Sequence, residues 1–170
     1  MREMKHMNLE VIEADYSCDQ HQHEIPLLLN LYASDPMGGG KSLSAEVINS
    51  LVNELAKLPH AFSVISYVDG KPAGLVNCFE VFSTFLCKPI INIHDVVVIT
   101  DYRGLGICEK MFDKVEEIAR LKGCCKMTLE VLSKNEVAKA AYQKFGFFGY
   151  ELDPEAGKAL FWEKPIAVQI

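Results

Sequence analysis

One segment of the chain has the pattern of an anion-binding turn, VVVITDYRGLGICEKMF at residues 96–112. Its β-branched run predicts a buried strand, and a glycine turn then leads into a helix. The first turn of a helix presents unpaired backbone N–H groups and the positive end of the helix dipole, which attract phosphate groups. Gly104 and Gly106 would let the backbone approach a ligand closely, and Arg103 adds a positive charge. The segment therefore suits a pyrophosphate, although an ordinary strand-to-helix turn would need the same glycines.

A second glycine-rich stretch, DPMGGGKS at residues 35–42, partly matches the nucleotide-binding P-loop. That motif requires a glycine at the position of Asp35 and a strand before the loop. The preceding residues, HEIPLLLNLYAS, have the pattern of a short apolar helix instead. We therefore do not assign a P-loop. The stretch is interpreted either as a plain flexible connector or as a mobile loop that closes over a substrate.

Two motifs in order make the chain resemble the GCN5-related N-acetyltransferase (GNAT) family. The family's acetyl-coenzyme A loop, Q/R-x-x-G-x-G/A, is matched by the residues from Arg103 to Ile107, but Cys108 stands where glycine or alanine is usual. The second motif is an asparagine, a short helix, a tyrosine and then glycine-phenylalanine, matched here with Asn135 and Tyr142. The resemblance covers about residues 60 to 163.

The resemblance implies how acetyl-coenzyme A would be held, with no metal. The strand from Asp95 to Ile99 would pair with the amides of the pantetheine arm like an added strand. Backbone groups from Gly104 to Glu109 would hold the pyrophosphate, and side chains of the next helix would contact the cofactor. The implied cofactor-binding residues are Val96, Val97, Val98, Arg103, Gly104, Leu105, Gly106, Ile107, Cys108, Glu109, Asn135, Lys139 and Tyr142.

Acetyl transfer to an amine would need a group that accepts the amine's proton and a group that protonates the leaving thiolate. The resemblance places Tyr142 near the sulfur, and a phenol pKa of about 10 is high enough for a proton donor. The candidate bases are Asp95, Glu80 and Glu130, of which Asp95 ranks first because it precedes the cofactor strand. Each could instead be an ordinary solvated strand residue. His94 is a candidate partner of Asp95, but strand neighbours usually point to opposite faces.

The elements that must position these residues follow from hydrophobic periodicity. Ser44 is predicted to cap a helix that Pro59 stops, Pro26 suits the first turn of the helix before it, and Asp69-Gly70 suits a hairpin turn. The predicted strands are MNLEVIEA, AFSVISYV, PAGLVNCFEVFSTFL, KPIINIHDVVVI, CCKMTLEVL, FFGYELD and KALFWEK, and the predicted helices are HEIPLLLNLYAS, AEVINSLVNELAKL, the one that ends at ARLKG, and Asn135 to Phe145. This order predicts an α/β class, a single-domain GNAT-like fold with a mixed, mostly antiparallel twisted sheet flanked by about four helices.

Composition limits the remaining possibilities. A length of 170 residues favours one domain, residues 1–170, and a net charge of −6 argues against a nucleic-acid partner. No apolar run approaches the roughly 20 residues that cross a bilayer, so no membrane partner is expected. The six cysteines include no C-x-x-C pair, which favours reduced thiols and a cytoplasmic location.

The leading hypothesis is an N-acetyltransferase that moves an acetyl group from acetyl-coenzyme A to a primary amine of a small molecule or peptide by direct attack in a ternary complex. One alternative is a non-catalytic regulatory module that binds acyl-coenzyme A. Another is an acyltransferase that uses a longer acyl group. Because the family often forms dimers, the resemblance also leaves a homodimer open.

Overall fold

The computed structural model describes residues 7–150, 155 and 159–166 of the chain. The helices and strands follow one another in the order β1 (Leu9–Glu13), α1 (Asp19–Ser34), a 3-10 turn (Pro36–Gly38), α2 (Ala45–Ala56), β2 (Ala61–Val68), β3 (Lys71–Ser83), β4 (Lys88–Val98), a 3-10 turn (Thr100–Tyr102), α3 (Ile107–Leu121), β5 (Met127–Leu129) and α4 (Glu136–Phe145). None of the helices in these ranges is long and apolar enough to cross a membrane.

The five strands form one sheet in the order β1-β2-β3-β4-β5. The first four are antiparallel neighbours, and β5 lies parallel to β4. Asp69 and Gly70 join β2 to β3 with φ angles of 49° and 75°. Positive φ at both central residues is the requirement of the tight hairpin turn that this dipeptide predicts. The mixed, mostly antiparallel sheet with four helices confirms the predicted fold class.

Helices cover both faces of the sheet. On one face, Ile25 and Leu28 of α1 and Val52 of α2 pack with Ile65 and Val97 of the strands. On the other face, α3 contributes an apolar stripe to the larger cluster, with the fully buried side chains of Ile107, Met111, Phe112 and Val115. The helix periodicity of residues 107–119 predicts this stripe, because apolar residues three and four apart share one side of a helix. The sheet is therefore the middle layer of a three-layer domain.

Three predicted helix ends are confirmed. Ser44 caps α2 and accepts a hydrogen bond of 3.3 Å from the N–H of Val47, and the helix ends before Pro59. Asn135 caps α4, and its Oδ1 accepts from the N–H of Ala138 at 3.2 Å. Short polar side chains at these positions satisfy N–H groups that the helix itself leaves unpaired.

The prediction for the first helix is wrong at its start. α1 begins at Asp19, four residues before the predicted segment, so that Pro26 lies inside the helix and not in its first turn. An interior proline cannot donate the usual backbone hydrogen bond and normally disfavours a helix. Here Ile25, Pro26 and Leu28 are all buried against the sheet. Tertiary burial of this turn offsets the local cost of the proline.

The fifth predicted strand, CCKMTLEVL, is much shorter than expected. β5 comprises only Met127–Leu129, so that Cys124, Cys125 and Glu130 lie outside it. Glu130 is exposed just beyond the end of the strand. The two cysteines are free thiols, with Cys124 half-buried and Cys125 exposed. Cys125 belongs to the turn that enters β5, where its N–H donates to the carbonyl of Pro89 at 2.9 Å.

The two strands predicted at the end of the chain are not found in the described residues. Of the two predicted segments, residues 147–150 and 159–164 form no strand, and residues 151–153 and 158 lie outside the described residues. Phe148 is 88% exposed and Trp162 is 83% exposed. An alternating apolar pattern becomes a strand only when a sheet edge pairs with it. The three-residue β5 offers too short an edge for this.

Gly74 is expected to be irreplaceable at the centre of the sheet. An alanine Cβ there would lie 2.7 Å from the Val97 carbonyl oxygen, 2.8 Å from Ser66 Oγ and 2.9 Å from Met111 Cε. We therefore expect Gly74→Ala to lower the free energy of unfolding in urea by about 2 kcal/mol. Gly149→Ala is the control, because no described atom lies within 4 Å of its Cβ position. Equal stability of Gly74→Ala and the wild type would contradict the packing described here.

Candidate active site

β4 carries one residue more than the strand opposite it. Cys78 of β3 lies opposite Ile93 and Asn77 lies opposite Asp95, so His94 has no partner on β3. Such an insertion is a β-bulge. Successive backbone N–H groups of a strand point to opposite sides, so one extra residue reverses the alternation of all the groups that follow it.

Beyond the bulge, β4 has an open backbone edge. β5 pairs with β4 only at Ile91–Ile93, whereas β3 stays paired through Val98. The N–H of Ile99 donates to the Ala73 carbonyl of β3 at 2.9 Å. By alternation, the backbone groups of Val96 and Val98 point the other way. No described strand pairs with them there, so an extended ligand that carries amide groups has room to do so.

The turn that follows β4 opens onto the start of α3. Gly104 and Gly106 have φ angles of 79° and 77°. Apart from their chain neighbours, no atom of the described residues lies within 4 Å of the position that a Cβ would take on either glycine. Gly106, the residue before α3, provides no side-chain cap, which leaves the first N–H groups of the helix available. Ile107, buried in the core, anchors this helix start.

Arg103 does not project freely into this space. Its Nε donates to the Val98 carbonyl at 3.0 Å, and one of its terminal nitrogens donates to Asp35 Oδ2 at 3.2 Å. The other oxygen of Asp35 accepts from the N–H of Met37 at 2.9 Å. That backbone hydrogen bond and Arg103 hold the pKa of the Asp35 carboxyl below its usual value. The Asp35–Ser42 stretch thus follows a helix and is tied to the glycine turn, and it lacks the strand that a P-loop requires.

Tyr142 lies in an aromatic cluster between α3 and α4. Its ring centroid is 5.6 Å from that of Phe112 and 6.2 Å from that of Phe147. Burial raises the pKa of the Tyr142 phenol, and Cys108 and Tyr32 add to this effect. The hydroxyl therefore keeps its proton throughout the physiological range, as a proton donor must.

Asp95 lies directly after the bulge, at the open part of the sheet. Its Oδ2 accepts from Asn77 Nδ2 at 3.0 Å, and its Oδ1 lies 3.5 Å from His94 Nδ1. The pKa of Tyr32 on α1 is raised, first by burial and then by the negative charge of Asp95. Tyr32 is thus an electrostatic neighbour of both Asp95 and Tyr142. The two predicted catalytic residues therefore share Tyr32 as a neighbour but belong to different layers, with Asp95 on β4 and Tyr142 in the cluster that packs on α3.

The other two candidate carboxylates lie in different surroundings. Glu80 pairs with Lys122 at 3.1 Å. Lys122 follows the last turn of α3, so it lies roughly 20 Å along the helix axis from the glycine turn. Glu130, by contrast, follows Leu129, which lies opposite Ile93 in the parallel pairing. Glu130 is therefore level with the bulge but exposed to solvent.

The charged residues predicted to contact the cofactor make ion pairs within the protein. Glu109 binds Lys144 of α4 at 2.8 Å. Lys139 donates to the Ser133 carbonyl at 3.1 Å and to Glu136 at 2.8 Å. Three residues near the site were not found by sequence reasoning, namely Tyr32, Ser63 and Asn77. The last two had a signal, because each is a polar residue within an apolar strand; Tyr32 had none.

In the described part of the chain, no three His, Cys, Asp or Glu side chains gather as a metal site would require. His21 Nδ1 instead accepts from the N–H of Asp15 at 3.0 Å. This contact gives His21, near the start of α1, a structural role.

The cysteines are expected to differ in reactivity. Burial, followed by the charge of Glu109, raises the pKa of the Cys108 thiol to about 11. Only about one such thiol in a thousand is then ionised at about pH 8. We expect iodoacetamide to alkylate the exposed Cys87 and Cys125 first, as measured by peptide mass spectrometry over time. Labelling in urea is the control. Alkylation of Cys108 in the folded protein as fast as that of Cys87 would contradict this assignment.

Known proteins share both the sequence pattern and the fold. The model of the acetyltransferase (GNAT) family matches residues 26–147. A putative [ribosomal protein bS18]-alanine N-acetyltransferase of Bacillus subtilis is 28% identical over 58% of this chain and 61% of its own length. A thialysine N-epsilon-acetyltransferase of Bos taurus is 41% identical over 33% of each chain. The chain thus spans less than two thirds of the length of these curated relatives.

The fold is shared with solved structures over nearly the whole chain. A crystal structure of an aminoglycoside N-acetyltransferase in complex with CoA has a TM-score of 0.72 and covers 95% of this chain and 97% of its own. Its sequence is only 15% identical, so this likeness concerns the fold. The family model, by contrast, matches the sequence over well more than half of its length. The chain belongs to the GNAT acetyltransferase family.

Proposed function

We propose that this protein is an N-acetyltransferase that moves an acetyl group from acetyl-coenzyme A to a primary amine of a small molecule or peptide. One observation carries the proposal. β4 has no described partner strand beyond Ile93, the helix that follows it starts without a side-chain cap, and the phenol of Tyr142 packs against Phe112 of that same helix. An extended thioester with a pyrophosphate at its far end is a ligand that suits this combination.

The chain offers acetyl-coenzyme A a continuous series of backbone contacts. Val96 and Val98 would pair with the amides of the pantetheine arm, and the N–H groups from Gly104 to Glu109 would bind the pyrophosphate. Arg103 would have to release the Val98 carbonyl, which it now binds, for a pantetheine amide to bind there. Its guanidinium would then be available to the phosphates. Asn135 and Lys139 would contact the ligand from the α4 side.

The reaction would be a direct attack with both substrates bound. The amine nitrogen forms a bond to the thioester carbonyl carbon, and the carbon–sulfur bond breaks. Asp95 takes the proton that the amine loses, and Tyr142 gives its proton to the departing sulfur. A backbone N–H on the open edge of β4, such as that of Val98, would stabilise the negative charge on the carbonyl oxygen. Holding the two substrates side by side supplies much of the remaining acceleration.

The acceptor is proposed to be an amine because the relatives act on amines by name. Their names mention an alanine of a ribosomal protein, thialysine and aminoglycosides. A net charge of −6 is compatible with a cationic acceptor. An alkylammonium with a pKa of about 10.4 is almost fully protonated near neutral pH, so a base such as Asp95 has a clear task.

The direct test is detection of an acetylated product by mass spectrometry. The protein is incubated with acetyl-coenzyme A and a pooled panel of amino acids, polyamines, aminoglycosides and short peptides. A single acetylated species would establish both the reaction and the acceptor class. Longer acyl-coenzyme A thioesters, tested in parallel, would show whether the enzyme transfers a longer acyl group instead of acetyl. Tight binding of acetyl-coenzyme A without any product across an exhaustive panel would favour the non-catalytic module.

Tyr142→Phe is expected to lower kcat by about 100-fold, because the variant cannot protonate the leaving sulfur. The ring contacts with Phe112 and Phe147 remain, so acetyl-coenzyme A affinity, measured by calorimetry, should stay within about threefold of the wild type. Phe112→Leu serves as a packing control, which should lower stability more than the chemical step. A Tyr142→Phe variant with the kcat of the wild type would exclude Tyr142 as the proton donor.

Asp95→Asn is expected to lower kcat/KM by about 100-fold near neutral pH, since the amide cannot accept the amine's proton. The deficit should shrink above about pH 9, where more of the amine is already deprotonated. Glu80→Gln is the matched control, because it removes a carboxylate that pairs with Lys122 at the far end of α3. Equal effects of the two substitutions would contradict a catalytic role for Asp95.

A further inference from the structure

Four polar side chains form a continuous row that crosses the sheet on the α1 face and ends at Asp95. Tyr16, in the loop after β1, shares a hydrogen bond of 2.9 Å with Ser63 Oγ on β2. Ser63 Oγ donates to Asn77 Oδ1 on β3 at 2.7 Å. Asn77 Nδ2 donates to Asp95 Oδ2 on β4 at 3.0 Å. These four residues are called the polar row below.

The middle of the polar row is fully enclosed by protein. Ser63 is 0% exposed and Asn77 is 3% exposed. They lie on the same side of the sheet as Ile65 and Leu75, whose apolar side chains pack against α1 and α2. Burying a hydroxyl and an amide costs free energy unless each finds a hydrogen-bond partner. Their partners here are each other and the two ends of the row, so the row depends on Asp95.

The hydrogen bonds of the polar row have one direction. Ser63 has a single proton, which it gives to Asn77, so Tyr16 must be the donor to Ser63. The Asn77 amide is then fixed, with its oxygen toward Ser63 and its nitrogen toward Asp95. A nitrogen donor at this point requires an acceptor, and a carboxylate supplies one when it is ionised. Reversing the direction of these hydrogen bonds would require the buried Asn77 amide to rotate by about 180°, so that its oxygen and nitrogen exchange places.

We propose that Asn77 and Ser63 are positioning residues for acetyl transfer, which hold Asp95 by one oxygen and leave the other for the amine. The inference rests on the proposed function and extends it to two residues that touch neither substrate. Asn77 occupies Oδ2, whereas Oδ1 faces the exposed side chain of His94 at 3.5 Å. The two oxygens of one carboxylate thereby have different tasks, anchoring and proton acceptance.

The titratable groups that interact with Asp95 are His94 on its own strand, Tyr32 on α1, and Cys78 of β3, whose side chain lies on the opposite, α3-covered face of the sheet. Burial raises the pKa of Cys78 and of Tyr32, and the charge of Asp95 raises both further. Both groups are therefore neutral near neutral pH. Among the described residues, the hydrogen-bond partners of the carboxylate are Asn77 and His94, so the row is the buried contact that fixes its orientation.

Two serines of β2 give a matched test of the polar row. Ser63 and Ser66 are both 0% exposed, but Ser66 Oγ has no hydrogen-bond partner among the described residues. We expect Ser63→Ala to lower kcat by about three- to tenfold, because the Asn77 amide is no longer fixed. Ser66→Ala should leave kcat within about twofold of the wild type. Urea denaturation of both variants separates lost activity from lost stability. Equal effects on kcat would overturn the proposal.

The pH profile distinguishes positioning from simple packing. Asn77→Asp keeps the size of the side chain and can still accept from Ser63, but it places a second carboxylate beside Asp95. Two neighbouring carboxylates tend to share a proton. The acidic limb of the pH profile of kcat/KM should therefore shift to higher pH by about one unit or more. Asn77→Leu, which removes the donor without adding charge, should lower kcat by about tenfold. An unchanged acidic limb in Asn77→Asp would overturn the proposal.

A measurement without turnover separates this inference from the proposed function. In ¹⁵N-labelled protein, the side-chain amide protons of Asn77 should exchange slowly with solvent, since both ends of the amide are hydrogen-bonded. Ser63→Ala should accelerate this exchange and Ser66→Ala should not. If the amide responds in this way while the wild type forms no acetylated product, acetyl transfer fails but the anchoring of Asp95 stands. An amide that exchanges equally fast in all three proteins overturns the polar row, whatever the activity.

Discussion

The whole site depends on one extra residue in β4. Without the bulge at His94, the backbone groups of Val96 and Val98 would point to β3, and the edge beside β5 would offer the opposite set of groups. The same insertion sets the faces of the side chains that follow, since Asp95 and Val97 then share the side covered by α1. A single change of phase thus determines both which backbone groups the open edge presents and on which face the carboxylate lies.

The core holds this edge in place through close backbone packing. Gly74 of β3 lies opposite Val98, and a side chain there would strike the Val97 carbonyl. The absence of a Cβ lets β3 support the last residues of β4 while β5 has already ended. On the face of the sheet covered by α3, the side chain of Met111 packs against Gly74. The rigid part of the sheet therefore reaches to the end of β4, so that the open edge is a fixed surface.

Local signals made much of this structure predictable. The Asp69-Gly70 turn, the Ser44 cap and the apolar stripe of α3 depend on neighbours in sequence, and all three are found. The bulge was not predictable, because the sequence around His94 is compatible with a strand whose side chains alternate with or without an extra residue at that position. The polar row was missed because its hydrogen bonds join residues 14 to 47 positions apart. The two predicted terminal strands, of which the described residues show none, also depend on a distant edge that pattern alone does not supply.

The proposed acid, Tyr142, and the proposed base, Asp95, have opposite surroundings on the two faces of the sheet. On the α3 face, the rings of Phe112 and Phe147 exclude water from Tyr142, which favours the neutral phenol. On the α1 face, Asp95 Oδ2 accepts a hydrogen bond from the Asn77 side-chain nitrogen at 3.0 Å. One strand between two unlike layers can therefore border a group that keeps its proton and a group that accepts one. β5 has ended at this level, so in the proposed reaction the two groups would approach a substrate at the edge of β4 from different layers.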